Sequence, residues 1–129
     1  MKKEEKDLLL KDLSSRLPYG VKCYIPEAND TSILAAVLED GENTLFNFWE
    51  DSRKIQYWHQ LYISEFKPYL FPMSSMTAEQ EIECQQIKHS YYYDDDSFVL
   101  FDWYDKNHID YRGLIPKGLA IDATGLNIY

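Results

Sequence analysis

The spacing of hydrophobic positions changes twice along the chain, and each change marks a new kind of element. Over residues 3–17, Leu9, Leu10, Leu13 and Leu17 recur at helical spacing among lysines and acids. This predicts an amphipathic helix lying on the rest of the domain. Pro18 and Gly20 end it. From Val21 the period drops to two, with Val21, Cys23 and Ile25 alternating with Lys22 and Tyr24 before the turn-formers of "EANDT". "SILAAVLE" is almost wholly apolar, the pattern of a central strand covered on both faces. "DGEN" is a hairpin signal, and the aromatic runs "TLFNFWE" and "KIQYWHQLYI", separated by the turn "DSR", read as two more strands. Four strands on short connections predict an antiparallel meander over residues 20–63. Closure into a small SH3-like β-barrel is the economical way to remove its edges.

Pro68 and Pro72 predict that the sheet ends there, with residues 64–76 as an extended connection. Residues 77–129 then read as a helical C-terminal part. Thr77 and Gln80 fit a capping box opening a helix from Ala78 to about His89. Its apolar stripe, Ile82, Cys84 and Ile87, is thin and predicts a mostly exposed helix. A second helix, from about Ser97 to Asn107, is expected to bury Leu100, Phe101 and Tyr104. The expected architecture is one α+β domain over residues 1–129: an N-terminal helix, a small barrel or meander, and C-terminal helices.

Composition supports this reading and narrows the function. A chain of 129 residues with 45% hydrophobic and 16% aromatic content fills one core but not two. Its 13 basic against 22 acidic residues give a net charge of −9. That balance works against nucleic acid, whose binding rests on Lys and Arg displacing phosphate counterions, and favours a basic protein surface. Glu4, Glu5, Asp7 and Asp12 interrupt the leucines of the first helix, so no membrane span is read there and a cytoplasmic protein is expected. Cys23 and Cys84 belong to no CxxC pair or disulfide framework.

Three blocks appear in order: "LLLKDLSSRLPYGVKCYI", "KPYLFPMSSMT" and "FDWYDKNHIDYRGLIPKGLAID". Together they resemble an abundant family of small acidic proteins of uncharacterised function from Bacteroides-type gut bacteria, their phages and mobile elements. The resemblance implies a cytosolic protein of a phage-rich or mobile genome. It supplies no activity and no catalytic residues.

Two clusters carry the candidate chemistry. His108, Asp110, Tyr111 and Arg112 have the residue types of a base, an orienting acid and an anion-binding group. The architectural alternative has Asn107 ending the helix, Tyr111 and Leu114 packing, Gly113 turning, and Arg112 pairing with an acid or helix-end carbonyls. Asp94, Asp95 and Asp96 lack the alternation and the glycine of an EF-hand loop, and read as helix-dipole partners or an acidic binding face. The five glycines form no phosphate-binding loop, so no cofactor is expected. A non-enzymatic interaction module for a basic protein is the leading expectation, in its sharper form a phage or mobile-element accessory acting on a host protein. Single-strand binding by a platform of Trp49, Tyr57, Trp58 and Tyr62 is an alternative, and an enzyme around His108 is another.

Overall fold

Leucine spacing places the first helix where expected. In the computed structural model, which describes residues 1–40, 43–50, 57–89 and 98–129 apart from the side chains of residues 40, 50 and 57–59, α1 spans Lys3–Arg16. Leu9 and Leu13 are fully buried, and Leu8, Leu10 and Leu17 pack around them. Asp12, one of the acids read among the leucines, is fully buried as well, and so is Arg16. The reason is angular: Arg16 lies seven residues after Leu9, two turns along the same face.

Four strands follow as an antiparallel meander: β1 (Lys22–Ile25), β2 (Asp30–Asp40), β3 (Asn43–Glu50) and β4 (Tyr57–Leu61). Cys23 and Ile25 face inward, as the alternation requires. The "DGEN" signal coincides with the β2–β3 connection, where pairing reaches Asp40↔Asn43. β2 is not covered on both faces. Ser32 and Leu34 are buried, but Leu38, near the hairpin, is exposed. The turn read at "DSR" lies outside the described residues.

The sheet does not close into a barrel. The expected extended connection contains β5 (Lys67–Pro72), which pairs antiparallel with β1 and parallel with β6 (Ile109–Asp110) and β7 (Ile121–Asp122). The order is β4-β3-β2-β1-β5-β6, with β7 also on β5. The C-terminal segment, not β4, completes the pairing of β5, so the result is an open seven-stranded mixed sheet. Pro68 and Pro72 are tolerated because each sits near an end of this short strand. Between them Tyr69 and Leu70 are buried.

Two apolar clusters hold the layers together. The larger joins Leu9 and Leu13 to Phe46, Phe48, Phe66, Leu70 and Leu114. Phe66 meets Phe46 and Phe48 edge-on at 5.1 and 4.9 Å between ring centroids. The smaller joins helices α2 (Ala78–Lys88) and α3 (Phe98–Lys106) through Cys84, Leu100, Tyr104 and Ile109. The capping box opens α2 as expected: Gln80 N donates to Thr77 Oγ1 at 3.1 Å, and Thr77 N to Gln80 Oε1 at 3.0 Å. α2 is mostly exposed, with Cys84 its buried residue. Phe101 departs from expectation and stays 44% exposed. Residues 107–129 are turns and two short strands rather than helix. No described helix is long and apolar enough to cross a membrane.

Candidate functional site

The His108–Arg112 stretch lies where α3 ends and the chain turns onto β5. Asn107 Nδ2 donates to Trp103 O at 2.9 Å, and His108 N donates to Asp105 O at 3.2 Å. His108 itself has φ +59°, the left-handed conformation that reverses a chain after a helix and that disfavours most side chains. Its carbonyl accepts from Phe71 N at 2.8 Å, which docks the turn on β5.

From there the cluster separates. The His108 ring stacks on Tyr129 at 3.6 Å, with 12° between planes, and its Nδ1 is buried without a hydrogen-bond partner. Burial, with Arg16 and Lys22 nearby, pushes its pKa down to about 4. Asp110 turns inward and accepts from Leu114 N and Ile115 N, each at 2.9 Å, fixing the loop that follows. Leu114 is thereby seated in the larger core. Asp110 is a brace. Asp94, Asp95 and Asp96 lie outside the described residues.

Tyr111 and Arg112 join a second group that the sequence reading did not assemble. Asp12 Oδ1 accepts from Arg112 Nη1 and Asp12 Oδ2 from Arg16 Nε, both at 2.8 Å. Arg16 also donates to Ile109 O at 2.6 Å. Asp105 stands close to both guanidiniums, at 3.8 Å from Arg16 Nε and 4.0 Å from Arg112 Nη1. Two acids and two bases from α1, α3 and the C-terminal segment thus meet below the surface. Arg112 does fix the C-terminal segment through a carboxylate, but one supplied by α1. The Tyr111 ring lies over this group, with Arg112 Cζ 4.4 Å and Arg16 Cζ 5.5 Å from its centroid. Phe101 stacks on Tyr111 at 5.4 Å, and Tyr104 at 5.1 Å.

The outer surface of this group is a groove between α1 and α3. Its rim carries Lys11 and Ser14 on one side and Phe98, Phe101 and Asp102 on the other, with Ser15, Asp105, Tyr111 and Arg112 deeper. Phe98 is 80% exposed. Burial pushes the Tyr111 hydroxyl up to about 12, and Asp105 adds to the rise. Burial also raises Asp105, against the opposing influence of Arg16, Tyr111, Arg112 and Ser15. The Ser15 hydroxyl donates to Asp12 O at 2.8 Å and accepts from Arg112 Nη1 at 3.3 Å. With that hydroxyl engaged and His108 Nδ1 unpartnered, this serine and this histidine do not form a nucleophile–base pair.

Two expectations follow from this geometry. Arg112→Ala should destabilise the domain by about 1.5–3 kcal/mol, the range for hydrogen bonds to charged groups. Arg112→Lys should recover little, because an ammonium cannot reproduce a planar fork stacked on Tyr111. Thermal melting of both variants checks this. The second concerns acid. Neutral His108 is held in the fold while an unfolded chain takes up a proton near pH 6.5. Its contribution is complete above about pH 6.5 and is lost as pH falls toward about 4. Asp105 acts in the opposite sense, since its raised pKa favours proton uptake by the folded state as pH falls. His108→Asn keeps a residue that accepts positive φ and removes the titration. Urea midpoints at pH 7 and pH 4.5 should differ less for this variant than for the parent.

Of the four residues of the stacking platform expected from the aromatic strands, two have described side chains. Trp49 is half-buried and Tyr62 exposed, and the side chains of Tyr57 and Trp58 lie outside the described residues. No family model, no curated protein and no solved structure matches the chain.

Proposed function

We propose that this protein is a non-enzymatic interaction module, and that it docks a basic surface of another protein in the groove between α1 and α3. One observation carries the reading: Phe98 and Phe101, 80% and 44% exposed, stand beside Asp102 at the mouth of a braced groove. Exposed aromatic anchors next to polar groups are the pattern of binding hot spots. The net charge of −9 steers a basic partner toward the domain. Asp94, Asp95 and Asp96 belong to this proposal as an acidic extension, since only Ser97 separates them from α3 in the chain. In its sharper form the protein is a cytoplasmic phage or mobile-element accessory that occupies a host protein.

Capture from host lysate across a salt series, with the parent and with the Phe98→Ser/Phe101→Ser double variant, tests the proposal. A discrete protein retained at low salt, released at high salt and lost in the variant is expected, with melting temperature lowered by no more than about 8 °C, because Phe98 is 80% exposed and Phe101 gives up one partly exposed stack on Tyr111. Retention abolished by nuclease would favour nucleic-acid binding. Equal retention by the variant would remove the groove from the interface.

A further inference from the structure

The buried charges are matched in number but not in contact. Both short carboxylate bonds in the group go to Asp12, and the remaining strong bond of Arg16 goes to the Ile109 carbonyl. Asp105 is 2% exposed, yet its nearest cationic nitrogens are 3.8 and 4.0 Å away, and its Oδ1 has no hydrogen-bond partner. Tyr111 Oη, beside it, is also unpartnered. Arg16 Nη1 is the third such atom, but bonds to Asp12 and Ile109 already fix that side chain. The Tyr111 and Ser15 hydroxyls and the two guanidiniums lower the pKa of Asp105 without offsetting its burial, so the carboxylate is under-compensated, and it lines the groove.

The aromatic wall points to the same kind of donor. Tyr104, Tyr111 and Phe101 form a ladder of rings with interplanar angles of 23° and 14°. Arg112 and Arg16 are already engaged with Tyr111, at 4.4 and 5.5 Å from its ring centroid. Phe101 at its outer end is partly open, and Phe98 next to it is almost bare. Of the two cations lining the groove, Arg112 is neutralised by Asp12. Lys11 is exposed and so is screened by solvent.

We propose that the groove receives an arginine side chain of a partner protein, its guanidinium stacked on Phe101 and hydrogen-bonded to Asp105. The inference rests on the interaction reading above and names the group that anchors it. Arginine fits better than lysine because it supplies a planar face and a fork of donors together, where an ammonium supplies neither a plane nor a second fixed N–H. Burial raises the pKa of Asp105, and a further guanidinium would oppose that rise as Arg16 and Arg112 do.

The test is an amide-shift titration by NMR with acetyl-arginine-amide, with the citrulline and lysine analogues as comparators. Shifts should concentrate at Phe101, Asp105, Tyr111 and Arg112. Citrulline, planar but uncharged, should bind at least about tenfold more weakly, and lysine more weakly than arginine. Asp105→Asn and Phe101→Ala should each weaken arginine binding about fivefold or more. If Asp105→Asn does not fold, Phe101→Ala carries the test, because that ring is not part of the charge group. Equal binding of citrulline, shifts spread over the acidic surface, or indifference to Phe101→Ala would overturn the inference. If the arginine probe fails while partner capture persists and still depends on Phe98 and Phe101, this inference alone falls and the interaction module stands.

Discussion

Asp12→Ala is expected to cost about 3–5 kcal/mol, the range for breaking a buried ion pair by removing one partner. Asp12 is fully buried and accepts from two guanidiniums, one of them on its own helix and the other on the C-terminal segment. Removing it leaves Arg16 buried with one good partner, the Ile109 carbonyl, and leaves Arg112 tied to α1 by the longer bond to Ser15 Oγ. A domain of ordinary stability holds only about 5–15 kcal/mol, so this variant should be largely unfolded by modest urea. The converse also holds. Replacing Asp12 and Arg16 together by apolar residues of similar volume should cost much less than Asp12→Ala, because it leaves no unpaired charge on α1. Urea midpoints for the single and double variants check both statements. A loss below about 1 kcal/mol for Asp12→Ala would mean that the charges are not acting as a unit.

Phe66→Ala is expected to cost a similar amount, about 3–5 kcal/mol, for a different reason. Phe66 is 2% exposed and packs edge-on against both Phe46 and Phe48, linking the turn before β5 to the inner face of β3. Truncation removes a ring from the larger core and leaves a cavity over Phe46 and Phe48 on the inner face of β3. Phe66→Leu should recover more than half of the loss by refilling most of that volume. Thermal denaturation at pH 8, above the titrations of His108 and Asp105, measures both.

The parts of the fold legible in the sequence are those fixed by local chemistry. Thr77 and Gln80 announce the start of α2 because a capping box needs only residues three apart. The alternation at Val21, Cys23 and Ile25, and the hairpin signal at "DGEN", are equally local. β5 was hidden because two prolines in six residues normally argue against a strand, whereas here they occupy positions near its ends. β6 and β7 have two residues each, too few to carry any periodicity. Without them the remaining strands suggest a barrel that must close on itself, and the C-terminal pairing that satisfies β5 instead goes unseen.

The candidate site was half legible. His, Asp, Tyr and Arg in one stretch drew attention to the right turn, and the pairing of Arg112 with a carboxylate follows from its position beside a helix end. The partner did not follow, because Asp12 is 100 positions away in sequence. A signal was nevertheless present on α1. Asp12 and Arg16 form an i,i+4 pair, and Arg16 lies on the Leu9–Leu13 face. An acid–base pair on the apolar stripe of a helix is a candidate buried ion pair. His108 misled in the other direction. Its residue type suggests a catalytic base, but its ring is a stacking surface for Tyr129 and its backbone is the chain reversal after α3.

The most direct test of the interaction module places a photoreactive benzoylphenylalanine at Phe101, in the groove, and separately at Leu38, an exposed position on β2 away from the groove-lining residues. Irradiation in host lysate should yield a discrete protein adduct from position 101 and none from position 38. Adducts of equal yield from both positions, or an adduct at 101 that nuclease removes, would contradict protein docking in the α1–α3 groove.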